Sequence, residues 1–237
     1  MKNLMRKLAV LLLTFCCLIA CKKEQKIDTK AEILKNLKSY TIEQMMDNEA
    51  VFGGSFSPDK SKLLVSSNRS GIYNMYTVPV DGGDFTPMTA SDSASVFGIS
   101  YFPNDDRILF RMDGNGDEIF HLYVKDTTGS ITELTPDKGA RASFYGWAHD
   151  GKSFFYGYTK RNPRFTDVYE MNIATMTPKM IYQNDGAYNF GGISRDKQYM
   201  ALSKAITTND ADLYVYNFED KSLTKINENP SSNSASD

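Results

Sequence analysis

Four copies of one sequence pattern, about 46 residues apart, run through most of this 237-residue chain. Each copy contains a polar corner, then an apolar run, and then an apolar–Tyr pair. The corners fall at Asp59, Asn104, Asp150 and Asp196, and the pairs at Met75-Tyr76, Leu122-Tyr123, Val168-Tyr169 and Leu213-Tyr214. A period in the forties built from short strands is typical of β-propeller blades. The pattern therefore predicts an all-β fold with about four antiparallel, four-stranded blades.

The residue types within each copy fit the positions of strands in a blade. Blades are covered on both faces, so their middle strands carry continuous apolar runs, as at residues 63–65 and 108–110. Prolines and charged residues recur in the last strand of each copy, where they protect an exposed edge. The predicted blades cover about residues 49–90, 95–136, 143–183 and 187–227.

Residues 1–20 have the composition of an export signal. Basic residues at Lys2, Arg6 and Lys7 precede an apolar stretch, residues 8–19, that is too short to span a bilayer comfortably. The motif Leu-Ile-Ala-Cys at residues 18–21 resembles a bacterial lipobox, in which the cysteine receives lipid. We therefore predict lipidation at Cys21 and a location in the bacterial cell envelope, on the periplasmic side or the cell surface. An ordinary secretory signal or an uncleaved anchor is the alternative.

Two further segments flank the predicted blades. Residues 21–48 predict a tether with short helices, and Thr41 and Gln44 have the spacing of a capping box that would begin a helix through Met46. Residues 228–237 form a polar tail. The chain has 27 basic and 29 acidic residues and no basic cluster, so its charge argues against binding to nucleic acid.

The sequence contains no recognisable catalytic triad. Ser55, Ser100 and Ser194 each follow a glycine by two positions, but none has the second glycine of the Gly-x-Ser-x-Gly motif that a hydrolase nucleophile needs. His121 and His149, the two histidines, occupy repeat positions and are interpreted as structural. An enzyme with its active site inside the propeller therefore has no residue set to support it, and no cofactor is predicted.

One loop has the acidic spacing of a calcium site. Asp113, Asn115 and Asp117 fit the first three ligands of a D-x-N-x-D loop, but Glu118 replaces the required glycine and Val124 the bidentate glutamate. A turn between two strands explains the same residues, so no metal is predicted.

Other charged residues are explained by the repeat. Asp59, Asp150 and Asp196 occur once per blade at a turn, which indicates Asx-type turn residues rather than paired catalytic carboxylates. Arg69, Arg111 and the loop 160–164 are candidates for lining one face of the propeller, although a solvated loop explains them equally well.

Several motifs resemble a known family of peptidases. They are Tyr-Thr-Ile-Glu-Gln at residues 40–44, Gly-Ser-Phe-Ser-Pro-Asp at 54–59, Ser-Asn-Arg at 67–69, Tyr-Thr-Val-Pro-Val at 76–80, the segment 100–109, and His-Leu-Tyr-Val at 121–124. They resemble the N-terminal propeller of bacterial prolyl oligopeptidase-family serine peptidases, and the blade motifs are shared with TolB-like propellers. The resemblance covers about residues 40–227.

This resemblance implies a seven- or eight-bladed propeller that restricts access to an α/β-hydrolase domain with a Ser, Asp and His triad. The present sequence departs from that pattern, because it contains about four blades and no hydrolase domain. Two hypotheses follow. The chain is the propeller portion of an exported, lipid-anchored peptidase, truncated before its catalytic domain, which makes that domain or a peptide or protein ligand its partner. Alternatively, it is a stand-alone TolB-like propeller lipoprotein that acts as a binding module.

The blade count also predicts an open arc. Four blades from a larger ring would leave two blade faces in water, and we expect residues 63–65 of the first blade and 213–216 of the fourth to be exposed. A closed ring of four blades is the rival geometry.

Overall fold

A computed structural model describes residues 34, 35, 37–114 and 116–227. The predicted signal, Cys21, half of the tether segment, Asn115 and the polar tail therefore lie outside the described residues. The chain divides into two compact units, residues 1–48 and residues 49–237. Within the described ranges, no helix is both long enough and apolar enough to cross a membrane.

The described part of the first unit contains helix α1 (Ile42–Met46). Thr41 is its N-cap residue, and the Thr41 side chain accepts a hydrogen bond from the Gln44 amide at 3.2 Å. The Gln44 side chain accepts one from the Thr41 amide at 3.1 Å, so both halves of the capping box are present. Satisfying two otherwise unpaired amides in this way explains why so short a segment begins a helix. The predicted capping box is confirmed.

The second unit consists of four antiparallel sheets, each with its four strands in chain order. Blade 1 contains β1 (Val51–Phe56), β2 (Lys62–Ser67), β3 (Asn74–Pro79) and β4 (Thr86–Pro87). Blade 2 contains β5 (Val96–Phe102), β6 (Asp105–Met112), β7 (His121–Lys125) and β8 (Ile131–Glu133). Blade 3 contains β9 (Ala142–Trp147), β10 (Ser153–Tyr158), β11 (Asp167–Asn172) and β12 (Thr177–Tyr182). Blade 4 contains β13 (Asn189–Ile193), β14 (Tyr199–Thr207), β15 (Asp210–Asn217) and β16 (Leu223–Lys225). The predicted all-β fold and its four blades are confirmed.

The first strand of every blade carries a β-bulge. The pairing between the first and second strands shifts register in all four sheets. In blade 1 the shift contains Gly53, whose φ is +83°, and in blade 4 it ends at Gly192, whose φ is +139°. Glycine adopts these angles without the clash that a Cβ atom would cause. Each bulge bends its strand and changes which side chains share a face.

Three buried apolar clusters join consecutive blades. Leu64 and Met75 of blade 1 pack with Ile108 of blade 2, and corresponding clusters join blade 2 to blade 3 and blade 3 to blade 4. Across the described residues, no buried cluster joins blade 4 to blade 1. The second unit is therefore an open partial propeller, and the rival closed ring of four blades is not formed.

The prediction of exposed strands is correct for part of blade 4 and wrong for part of blade 1. Leu213 is 44% exposed, as expected of an open face. Leu64 and Val65, however, are buried. Leu64 faces blade 2, because alternate residues of a strand point to opposite faces. On the other face, the guanidinium of Arg69 and the ring of Phe85 cover the aromatic side chain next to Val65, so blade 1 partly covers its own open face.

Candidate functional site

Four aromatic rings form a continuous row at one end of blades 1 and 2. Phe52 lies near the start of β1, Phe97 near the start of β5, Tyr73 just before β3 and Phe120 just before β7. The ring centroids are 5.2 Å apart for Phe52–Tyr73, 5.2 Å for Tyr73–Phe97 and 5.7 Å for Phe97–Phe120. These are ordinary distances for attractive aromatic pairs. The row keeps some ring surface in contact with solvent, since Phe52 is 43% exposed.

Arg111 adds a positive charge to this row. It lies directly opposite Phe97 in the β5–β6 ladder. Its guanidinium carbon is 5.4 Å from the ring centroid of Phe97 and 4.7 Å from that of Phe120. Among the described residues, no carboxylate lies within ion-pair distance of Arg111. We call Phe52, Tyr73, Phe97, Phe120 and Arg111 the aromatic end patch.

The other basic residues that the sequence suggested for this face have local partners. Arg69 pairs with Glu49 at 3.2 Å, and Lys160 pairs with Asp137 at 3.1 Å. Arg161 makes two hydrogen bonds, of 2.8 and 2.9 Å, to the fully buried carboxylate of Asp167. These contacts raise the pKa of Arg161. Arg161 and Lys160 are therefore held in structural ion pairs. Arg164 lies over the ring of Phe165, 6.0 Å from its centroid, whereas Arg111 lies over two rings.

The aromatic end patch can hold an apolar or aromatic group beside an anion. Rings offer contact area to the apolar part, and the guanidinium offers two parallel donors to a carboxylate. Sequence reasoning found Arg111 but missed the rings. A signal was present, because Phe52 and Phe97 both lie seven residues before the corner of their repeat.

The corner aspartates are turn residues, as predicted. A side-chain oxygen of each accepts a hydrogen bond from the amide two residues later, in blade 1 (Asp59 with Ser61), blade 3 (Asp150 with Lys152) and blade 4 (Asp196 with Gln198). In blade 2 this role belongs to Asp105, next to the corner position Asn104 that the repeat suggested. Hydrogen bonds from the Ser57 hydroxyl and from Ser61 lower the pKa of Asp59 to about 2.

The loop with calcium-like spacing is held by its own backbone. A side-chain oxygen of Asp117 accepts hydrogen bonds from the amides of Ile119 and Gly114, which lower the pKa of Asp117. Asp113 is buried, and its Oδ2 accepts from the Glu118 amide while Oδ1 has no hydrogen-bond partner among the described residues. In that part of the chain no group of three or more potential metal ligands comes together. Asn115, the remaining candidate ligand, lies outside it.

His149 lines one groove with Ser55 and Ser100, but among the described residues no hydrogen bond joins a histidine to a glycine-preceded serine. His121 Nδ1 lies 2.5 Å from Glu133 Oε1, on the neighbouring strand β8. Ser55 Oγ accepts from the Tyr101 amide, Ser100 Oγ accepts from the indole of Trp147, and Ser194 Oγ donates to Asp196. The first two bonds cross from one blade to the next. These serines connect blades or close turns in the structure.

An ion-pair network joins blades 3 and 4 at the corner end. Lys197 Nζ lies 3.0 Å from Asp150 Oδ2, 2.8 Å from Glu170 Oε1 and 3.0 Å from Ser153 Oγ. Burial alone would raise the pKa of Glu170, but hydrogen bonds from Lys197 and Ser153 outweigh it and the pKa is lowered. The pKa of Asp150 is also lowered, by the Lys152 amide and by Lys197.

Replacing Lys197 with methionine should reduce stability at neutral pH by on the order of 1 kcal/mol. A carboxylate whose pKa is lowered by folding stabilises the fold above its ordinary pKa, near 4.5 for glutamate, and that stabilisation is lost as the pH falls. The gap between wild type and Lys197→Met should therefore shrink from pH 7 to pH 3, as measured by urea unfolding. Lys138→Met, at an exposed lysine for which the described residues show no ion pair, is the control; an equal gap at both pH values would contradict the prediction.

The sequence of this chain is similar to a family of propeller domains and to a known peptidase. Residues 87–230, more than half of the chain, match the family described as the prolyl oligopeptidase N-terminal β-propeller domain. The chain is 29% identical over 168 residues to dipeptidyl aminopeptidase BIII of Pseudoxanthomonas mexicana, an alignment that covers 66% of this chain and 24% of the relative.

Two solved structures share the fold. TolB from Acinetobacter baumannii superposes with a TM-score of 0.54 at 17% identity, covering 75% of this chain and 43% of TolB. A structure from a study of two prolyl endopeptidases gives a TM-score of 0.54 at 14% identity, covering 76% of this chain and 30% of the other. The chain thus spans about a quarter of the curated relative and less than half of either solved structure.

Proposed function

Because this chain belongs to the family of prolyl oligopeptidase N-terminal β-propeller domains, we propose that it is the substrate-gating and interaction propeller of an exported, lipid-anchored serine peptidase. The observation that carries the proposal is the family match, together with the similarity to a dipeptidyl aminopeptidase. In this proposal the catalytic triad lies outside these 237 residues, since the sequence has no Gly-x-Ser-x-Gly motif. The propeller limits which peptides reach that triad.

The aromatic end patch supports the interaction part of this role. An extended peptide offers apolar side chains and carboxylates, which match the rings and the guanidinium of the patch. Among the described residues Arg111 makes no ion pair, and it lies over two rings of the patch. We propose that the patch contacts peptide on its way to the catalytic domain.

Peptidase activity should depend on the organism from which the chain is purified. Tagged protein isolated from membranes of the bacterium that makes it should hydrolyse a dipeptidyl p-nitroanilide and carry a serine that reacts with a fluorophosphonate. The same 237-residue chain made alone in another host should do neither, because in its described residues no histidine makes a hydrogen bond to a serine that could serve as nucleophile. A fluorophosphonate adduct on a serine within residues 51–227 would contradict the proposal. Inactivity of both preparations would favour the TolB-like binding module instead.

We further propose that lipid on Cys21 anchors the chain to the cell envelope. Replacing Cys21 with serine should move the protein from the membrane fraction to the soluble fraction, because a serine cannot receive the lipid. Replacing Cys17 with serine is the matched control, since it alters a nearby cysteine outside the predicted acceptor position. If Cys21→Ser stays in the membrane and is uncleaved at its usual site, the anchor is wrong.

A further inference from the structure

A pocket lies between blades 3 and 4, beside their first strands and at the corner end of the propeller. The aromatic end patch lies near the opposite end of the first strands. The pocket has a volume of about 260 Å³. Its walls carry four rings and two basic side chains, those of Tyr145, Trp147, Phe155, Phe190, His149 and Arg195. We call it the corner pocket. Both blades that form it are complete in the described residues.

The ring walls of the corner pocket are held in place before any ligand binds. Tyr145 of blade 3 stacks on Phe190 of blade 4, with ring centroids 4.2 Å apart and an interplanar angle of 4°. The Trp147 indole donates a hydrogen bond of 3.0 Å to Ser100 Oγ. Phe155 is 6% exposed and lies in the middle strand β10. Walls that are already ordered lose little conformational entropy when a ligand binds, so they favour binding.

Two basic side chains of the pocket make no ion pair in the described part of the chain. His149 and Arg195 hold the position immediately before the corner residue, which is proline in blades 1 and 2 (Pro58 and Pro103). Among the described residues, no carboxylate lies within ion-pair distance of either side chain, and no acidic residue lines the pocket. Lys197, which also lines it, is held in the ion-pair network with blade 3. The turn accepts proline, so it does not explain why two basic residues line one pocket.

We propose that the corner pocket binds the C-terminal residue of a peptide. The apolar side chain of that residue lies against the rings. Its carboxylate accepts hydrogen bonds from His149 and from Arg195, whose guanidinium offers two parallel donors. Pockets for drug-sized ligands measure about 300–1,000 Å³, so the smaller volume of the corner pocket suits a single amino-acid residue.

A neighbouring groove gives the preceding residues of the peptide a place to lie. Trp147 and His149 also line this groove, which has a volume of about 580 Å³ and continues past Phe102 and Pro103 at the blade 2 corner. A small carboxylate fills the corner pocket alone, whereas a peptide contacts the groove as well. The groove therefore favours a peptide as the ligand. The proposal goes beyond the gating role and needs no catalytic domain.

Fluorescence of the full chain tests this proposal, because Trp147 is its single tryptophan and lines the pocket. A six-residue peptide of alanines ending in phenylalanine, with a free carboxylate, should change the Trp147 emission in a saturable way. The same peptide with a C-terminal amide should bind at least about tenfold more weakly, because it has lost the charge that Arg195 recognises. N-acetylphenylalanine should also bind more weakly, because it cannot reach the groove. Equal affinities for the six-residue peptide and N-acetylphenylalanine would contradict a peptide ligand.

A variant in the pocket tests the role of the guanidinium. Arg195 is exposed, so Arg195→Gln should fold normally and bind the free-carboxylate peptide at least about tenfold more weakly than the wild type. It should also bind the acid and amide peptides equally, which a general loss of structure would not produce. Arg141→Gln, at an exposed arginine before β9 for which the described residues show no ion pair, should bind like the wild type.

Three results would overturn the inference. They are the absence of a saturable change in the wild type, equal wild-type affinities for the acid and amide peptides, and an Arg195→Gln variant that binds as well as the wild type. These measurements record binding to the 237-residue chain and require no peptidase activity. Their failure would therefore leave the proposed gating role intact, and the failure of that role would leave the corner pocket intact.

Discussion

Replacing Met171 with alanine should lower the free energy of unfolding by about 2–5 kcal/mol. Met171 lies in the third strand of blade 3, is 1% exposed, and packs in the cluster between blades 2 and 3. Its truncation leaves a cavity that the surrounding aromatic side chains can fill only by moving. Because the whole stability of a domain is about 5–15 kcal/mol, this loss is expected to be visible as a large fall in the urea midpoint.

A second methionine in the same blade provides the control. Met180 lies on the neighbouring outermost strand β12 and is 41% exposed. Met180→Ala removes the same atoms without leaving a closed cavity, so we expect a change within about 0.5 kcal/mol. Equal losses from the two variants would mean that the cluster between blades 2 and 3 contributes little to stability.

Replacing Gly157 with alanine should cost about 1–3 kcal/mol, although it adds a single methyl group. Gly157 lies in the buried middle strand β10. A Cβ atom there would collide with the Tyr145 hydroxyl and lie 2.5 Å from Thr166 Cγ2. The Tyr145 ring is not free to move aside, because it stacks on Phe190 of blade 4 at 4.2 Å with an interplanar angle of 4°. Relieving the collision therefore loosens the junction of blades 3 and 4.

Gly54→Ala is the matched control for this substitution. No heavy atom lies within 4 Å of a Cβ built on Gly54, and its φ is not left-handed. Restricting the unfolded chain should then make this variant about 0.4–1 kcal/mol more stable. Thermal unfolding of the two variants should shift in opposite directions, and a shift of the same sign and size for both would contradict the packing argument.

Blade number and the roles of the corner aspartates follow from the sequence because they depend on local patterns. A turn that needs an Asx residue, or a helix that needs Thr41 and Gln44 at its start, is decided by residues a few positions apart. Repetition strengthens such signals, since four weak patterns at one period support each other. The capping box and the turn at Asp59 are both found where they were predicted.

Contacts across blades could not be predicted in the same way. Arg107 follows the blade 2 corner, and its side chain donates a hydrogen bond to the Ile173 carbonyl, 66 residues further along the chain. The aromatic end patch is another example, because the bulges in the first strands decide which rings share a face. The side chain of Tyr76, beside the buried Val65, is covered by a ring and a guanidinium from its own blade. A hydrophobic pattern shows which residues are apolar. It does not show which neighbouring group will cover each apolar side chain in the folded protein.

Each blade contacts only the blades before and after it, so stability in this fold is distributed as a sum of nearest-neighbour terms. Within the described residues, blades 2 and 3 each have two such neighbours, whereas blades 1 and 4 have one. Unfolding of the isolated 237-residue chain should therefore begin at either end of the arc and move inward, and amide protons in β6 and β10 should exchange last. Because stability is a sum over junctions between neighbouring blades, adding or deleting a terminal blade during evolution changes one junction and leaves the others intact. Blade number can thus drift within such a lineage while the blade itself stays constant.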